Sequence, residues 1–259
     1  MDTKLNDILK KFEVDSFCAV NTRTLTYGNK QMYEIMSVAK IILGIACGIL
    51  YDSGKLDINS KISKWFPEYK NITIKNLLNH TSGIDATWNP RGDLFKSSRG
   101  RATGEKLYQY NNYNAILLIA IINSIENAEK LYRKIFKLLD ITKFKIVLQH
   151  GMPLGAYGIW LSTSDLCKIG SAFSPSSKIL SKKWISMAKK NKFMLMNYGG
   201  GLYGHDGSYG QYLVFNNDIV FAICKKPVKN YYALINKKYK INPKFDLEPN
   251  IKLIAKLLL

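Results

Sequence analysis

Apolar residues recur along this chain at two intervals, and each change of interval marks an element. Leu5, Ile8, Leu9 and Phe12 fall at helical spacing and predict an amphipathic helix over about 2–12. "SFCAVNTRTLTYGNK" then reads as a strand, a polar turn and a second strand. An apolar helix opens at Ser37, runs to about Tyr51 and stops at "DSGKLD", where a glycine supplies the ending. "NITIKNLLNHTSGI" predicts a short helix capped by Thr73 and a turn at His80–Gly83. Residues 85–106 are polar and rich in helix breakers, which predicts a surface loop serving as a rim or lid.

A helix is expected from Asn112, and a second, more charged one from about Ala128 to Leu139. "LSTSDLCKIGSAF" opens with a capping box, Ser162 as cap and Asp165 three residues on. "YGQYLVFNNDIVFAICKK" predicts two strands joined at Asn216–Asp218. "NYYALINKKY" and "EPNIKLIAKLLL" read as helices, the second with Pro249 at its start. Strands therefore sit at both ends of the chain and helices fill the middle. The expectation is an α+β fold of sandwich type: one antiparallel sheet built from both termini, flanked by helices, with a reduced, mostly helical insertion. The 259 residues read as a single domain, about 1–60 and 195–259 forming a sheet lobe and 61–194 a helical lobe.

Composition adjusts this picture in three places. Apolar residues make up 47% of the chain, enough for a packed core. The first residues lack a basic-then-apolar leader pattern, and the longest apolar run, "AILLIAII", is far short of the ~20 residues of a membrane span. A cytoplasmic protein with no membrane span is the expectation. Cys18, Cys47, Cys167 and Cys224 are scattered without a C-x-x-C, which predicts buried free thiols. The formal charge of +19 would suit a nucleic acid or another anionic partner. Against that, only five of the basic residues are Arg, and abundant Lys, Asn and Ile are what AT-rich coding produces.

For chemistry, the three histidines, His80, His150 and His205, have no ligand spacing, so no metal and no cofactor is expected. Phosphate loops and the G-x-S-x-G elbow are absent; Ser208 has Asp206 where the first glycine would stand. Arg91-Gly92-Asp93 reads as incidental. Ser37 and Lys40 lie three apart on one helix face, where a lysine of lowered pKa could take the serine's proton. Taken alone, Ser37 reads better as an ordinary helix cap than as a nucleophile, and Ser186/Lys189 repeats the spacing. Tyr110 reads as a core or interface residue, Asn112 as a cap for the helix that follows, and His205 as a strand histidine.

The order of "SVAK", "LLNHTSGI", "YNN", "GIWLSTSDL" and "GHDGSYG" resembles the beta-lactamase-related serine hydrolases over about 30–225. These include class C beta-lactamases, low-molecular-weight penicillin-binding proteins and D-amino-acid peptidases or esterases. "LLNHTSGI" is the most specific of these stretches. The resemblance implies a beta-lactamase/DD-peptidase-like fold, with Ser37 as acylating nucleophile and Lys40 as its proton acceptor. It implies Tyr110 as the proton shuttle to the leaving group, Asn112 as the amide that orients substrate, and His205 and Gly207 as the third motif. The main-chain N–H groups of Ser37 and Ser208 would form the oxyanion hole, and His80 would brace a turn. "SDL" and "KIG" at 164–170 mimic the motifs of class A enzymes, but they fall within one helix and cannot form two walls of a pocket.

The chain departs from the pattern by its shortness between Tyr110 and His205, and by a histidine where many relatives carry lysine. An imidazole there is expected to change charge near neutral pH. The implied function is hydrolysis of an amide or ester carbonyl, in a beta-lactam, a D-amino-acid peptide or a small ester, through an acyl-enzyme on Ser37. The partner would be a small-molecule or peptide substrate. The alternatives are an inactive binding or regulatory descendant of the fold, or a basic anion or nucleic-acid binder.

Overall fold

The computed structural model describes residues 2–85, 101–104, 107–227 and 247–259. The expected rim loop falls largely outside these residues, as do Arg91-Gly92-Asp93 and the expected helix over 230–239.

The elements follow the sequence periods closely. Helix α1 (Thr3–Lys11) buries Leu5, Ile8 and Leu9, and Asp2 caps it by accepting from Leu5 N–H at 3.1 Å. Strands β1 (Ser16–Val20) and β2 (Thr24–Gly28) form the expected hairpin. After the short β3 (Met32–Glu34) comes a single 3-10 turn, Met36–Val38, and then α2 (Ala39–Asp52). Helix α3 (Ile74–Leu78) carries the Thr73 cap in a full capping box with Asn76. Short strands β4 (Ile84–Asp85) and β5 (Arg101–Ala102) pair with each other. Helices α4 (Asn112–Ile125) and α5 (Ala128–Leu138) match the two expected helices.

Strands β6 (Lys145–Ile146), β7 (Leu148–Gln149), β8 (Met152–Pro153) and β9 (Ile159–Ser162) follow. Helix α6 (Thr163–Ser171) starts on the Ser162 cap, whose hydroxyl accepts from Asp165 N–H at 3.1 Å. The chain continues through α7 (Lys182–Asn191), β10 (Met196–Gly199), β11 (Leu202–Gly207), β12 (Gln211–Phe215) and β13 (Val220–Cys224). It ends on α8 (Ile251–Leu258), just after Pro249.

The main sheet runs β10-β11-β12-β13-β1-β2, every pair antiparallel. The pairing of β13 with β1 joins its C-terminal strands to its N-terminal ones, so both ends of the chain do build one sheet, as the α+β expectation required. One face holds Phe17, Val214, Phe221 and Ile223 against α1 and α8. On the other face Cys18, Leu213, Phe215 and Ala222 join the larger core, where Leu166 and Ile169 of α6 meet them. Fully burying a side chain of this kind is worth ~1.5–3 kcal/mol, and alternation along β12 and β13 supplies such residues to both faces. All four cysteines are buried and free.

Helix α2 is the pivot of the second layer. Its residues from Ala39 to Gly48 are buried without a break, as its all-round apolar sequence demands. It packs on α4, α5 and α7, and the 3-10 turn at its head meets β11. No helix among the described residues is long and apolar enough to cross a membrane.

Candidate active site

Ser37 does not cap α2. It sits in the 3-10 turn Met36–Val38, ahead of the helix, and no side-chain cap bond closes either segment. Met36 enters this turn with φ of 50°, a left-handed conformation uncommon for a residue with a long side chain. The Ser37 hydroxyl is directed instead to Lys40 Nζ at 3.2 Å.

Lys40 is wholly buried, and its Nζ also donates to Asn112 Oδ1 at 2.7 Å and to the Ala156 carbonyl at 3.2 Å. Burial pushes its pKa down to about 7, and the field of the Asp206 carboxylate resists part of that fall. The ligand set has a chemical consequence. Two of the three partners are carbonyl oxygens, which only accept. When Lys40 is neutral its two N–H bonds serve these oxygens, and the lone pair is left for the serine hydroxyl.

Asn112 is free for this role because the helix cap falls elsewhere. The cap of α4 is Asn111, whose side chain accepts from Asn114 N–H at 2.9 Å. Ala156 carries no side-chain signal, and its carbonyl is presented by a tight loop. Gly155 precedes it at φ of 72°, and a Cβ at that glycine would stand 2.8 Å from the Ala115 carbonyl of α4.

Tyr110 is 37% exposed, so it is not a core residue. Lys40 Nζ stands 4.9 Å from its ring centroid. The tyrosine ring lies between His80, at 4.9 Å, and His205, at 5.8 Å. Burial of the phenol pushes its pKa well above the usual value, and hydrogen bonding with Ser37 offsets part of the rise.

His205 is 2% exposed on β11, and burial, followed by the field of Lys40, lowers its pKa to about 3. The expected change of charge near neutral pH is therefore overturned: this imidazole stays neutral there. Its Nδ1–H donates to the Asp206 carbonyl, which leaves Nε2 as an acceptor. Strand β10 pairs with β11 only as far as Gly204, so the segment from His205 to Gly207 runs past it. Gly207 then abuts the serine turn. A Cβ there would stand 2.8 Å from the Ile35 carbonyl and 3.0 Å from Met36 Cβ. Ser208 follows at once in the turn Ser208–Gly210.

Ser37, Lys40, Asn112 and Tyr110 thus converge, and His205, Gly207 and Ser208 line the adjoining strand end. The competing S-x-x-K is otherwise engaged, since Lys189 donates to Asn217 at 3.0 Å. The class A look-alikes do share one helix, α6, as expected. Asp206, Ala156 and the ring of His80 were not among the expected site residues. A carboxylate between two motif residues was the one visible signal. Among the described residues, no three His, Cys, Asp or Glu side chains cluster as metal ligands would.

Comparison with known proteins adds family and fold. A family model described as Beta-lactamase matches residues 19–255. Protein flp of Staphylococcus aureus (strain N315) is 34% identical over 115 residues, covering 36% of this chain and 23% of its own length. PbpX of Bacillus subtilis (strain 168) is 25% identical over 218 residues, 70% of this chain and 55% of its own. The chain therefore spans about half or less of the length of the curated relatives it matches. Among solved structures, a beta-lactamase from Mycobacterium bovis superposes with a TM-score of 0.71 at 15% identity, over 98% of this chain and all of that one. The D-amino acid amidase of Ochrobactrum anthropi superposes at 0.66 and 17% identity, covering 85% and 91%. At such identities the likeness is one of fold.

Proposed function

The chain belongs to the beta-lactamase family, and from that premise we propose that it is a serine hydrolase acting on an amide or ester carbonyl through an acyl-enzyme on Ser37. One observation carries the reading: a fully buried lysine, with its pKa brought down to about 7, lies 3.2 Å from the serine hydroxyl. Two carbonyl acceptors direct its remaining lone pair at that hydroxyl.

In the first step neutral Lys40 takes the Ser37 proton as Oγ bonds to the substrate carbonyl carbon. The carbonyl electron pair moves to oxygen, and the main-chain N–H groups of Ser37 and Ser208 receive the oxyanion. The bond to the leaving group then breaks. Its nitrogen or oxygen collects a proton by way of Tyr110, which is replenished from Lys40. Water attacks the resulting ester, gives its proton back through the same pair, and frees Ser37. Asn112 holds the lysine and orients the substrate, and neutral His205 serves as an acceptor on the opposite wall. The D-amino acid amidase among the structural neighbours supports an amide substrate. Beta-lactams, D-amino-acid peptides and small esters all present the required carbonyl.

The test is covalent. Folded protein is incubated with a fluorophosphonate and, separately, with a fluorescent penicillin, then read by intact mass and peptide mapping. One adduct on Ser37 is expected, absent from Ser37→Ala. No adduct on Ser37 with either probe would overturn the reading.

A further inference from the structure

His80 is the motif residue that the proposed chemistry leaves unused, yet it lies against the tyrosine that chemistry needs. It follows α3 with φ of 56° and is 3% exposed. Two of its groups reach the segment carrying Tyr110. Its carbonyl accepts from Gln109 N–H at 2.8 Å, one residue before the tyrosine. Its ring packs on the Tyr110 ring at 4.9 Å with a 43° tilt, and on the Tyr108 ring edge-on at 6.1 Å.

The imidazole is itself fixed from behind. Asn114 Nδ2 donates to His80 Nδ1 at 3.1 Å, while Asn114 Oδ1 accepts from Ser82 Oγ at 2.6 Å. Asn114 is fully buried and tied through Asn111 to the Ile84 carbonyl. The Asn114 bond sets the tautomer: Nδ1 accepts, so Nε2 carries the hydrogen, and that nitrogen is buried with no partner among the described residues. Burial, with the fields of Lys40 and His205 added, lowers the ring's pKa to about 3. A brace for the turn alone would need the backbone and the Asn114 bond; it would not need a neutral ring against the phenol.

We propose that His80 is a positioning residue for Tyr110, its carbonyl and ring together holding the phenol in line to protonate the leaving group. This rests on the hydrolase reading above. The test uses two esters of one acid. A 4-nitrophenyl ester departs as a stable phenolate, whereas an alkyl ester must receive a proton to leave. For His80→Gln, kcat/KM, which reports acylation and not the deacylation step the two esters share, is expected to fall at least about tenfold further on the alkyl ester than on the nitrophenyl ester. His80→Phe, which keeps the ring contact, is expected to recover part of that loss, and it is the variant read if the Gln variant does not fold. In a Tyr110→Phe background His80→Gln should cost nothing further. Equal losses on both esters, or full additivity with Tyr110→Phe, would overturn the proposal.

A second readout does not need turnover. In protein labelled with 3-fluorotyrosine, the Tyr110 fluorine resonance, assigned by its loss in Tyr110→Phe, should shift and broaden when His80 is replaced. An unmoved resonance would overturn the positioning role. Absence of hydrolysis by wild type, with the resonance moving as expected, would instead count against the hydrolase reading.

Discussion

Lys40 is the residue on which the local chemistry turns. Its pKa is a balance of two opposed effects: burial drives the ammonium down, and the Asp206 carboxylate holds it up. If the free amine is the base, kcat/KM rises with pH through about 7 as Lys40 loses its proton. Asp206→Asn removes the field that favours the ammonium, so Lys40 titrates lower and the acid limb moves to lower pH. A pH–rate profile of the two proteins checks this, and a limb that stays in place or moves up would exclude Lys40 as the titrating base. His205 does not add a second limb near neutrality, because its pKa of about 3 keeps it neutral there. S-x-x-K spacing made the serine–lysine pair visible in the sequence. The state of each group was not visible, since desolvation depends on which distant elements cover it.

At the scale of elements, the site exists because a strand end meets a helix head without side chains between them. Gly207 is the point of closest approach, 2.8 Å from its would-be Cβ to the Ile35 carbonyl. Gly207→Ala must displace β11 from the serine turn and spread the two main-chain donors proposed for the oxyanion. Misplacing one such donor is expected to lower kcat about 10²–10³-fold. The measurement is kcat on an ester together with a thermal melt, and a fully active, folded alanine variant would contradict the proposed oxyanion site. The elements themselves were largely legible. Helical spacing placed α1, alternation placed β12 and β13, and Thr73 and Ser162 announced the helices they cap. What misled was competition between neighbours of similar chemistry. Asn111 takes the cap that Asn112 could have taken, and Ser37 stands in a 3-10 turn where a serine commonly caps the start of a helix.

For the whole molecule, the dominant electrostatic feature is the +19 charge. Some of the basic residues are locally paired, as in Lys55–Glu126 at 2.8 Å, Arg133–Glu129 at 2.7 Å and Lys168–Asp165 at 2.9 Å, and the excess is what remains unmatched. With twice as many basic as acidic residues, most cations must repel one another across the surface. Screening should therefore stabilise the fold. Raising sodium chloride from about 0.01 to 0.3 M, which shortens the Debye length from ~30 Å to below 8 Å, is expected to raise Tm by a few degrees. The same titration followed by binding to a short DNA duplex reads the charge from the partner's side: affinity that falls steeply with salt counts the phosphates neutralised, and no binding even at the lowest salt would exclude a DNA-binding face. A flat Tm would mean that the charges already lie far enough apart to ignore one another.

The amino-acid sequence alone determined most of the elements, the caps at Thr73 and Ser162, the joining of both termini in one antiparallel sheet and the order of the motif residues. These depend on local period and on short-range backbone chemistry, which a linear string records. Only the tertiary structure decided that Lys40 is dehydrated, that the Ala156 carbonyl takes one of its hydrogens, that His205 stays uncharged and that the His80 ring lies against Tyr110. Those facts concern what surrounds a group in space, and burial and field are set by residues tens to hundreds of positions away in the chain.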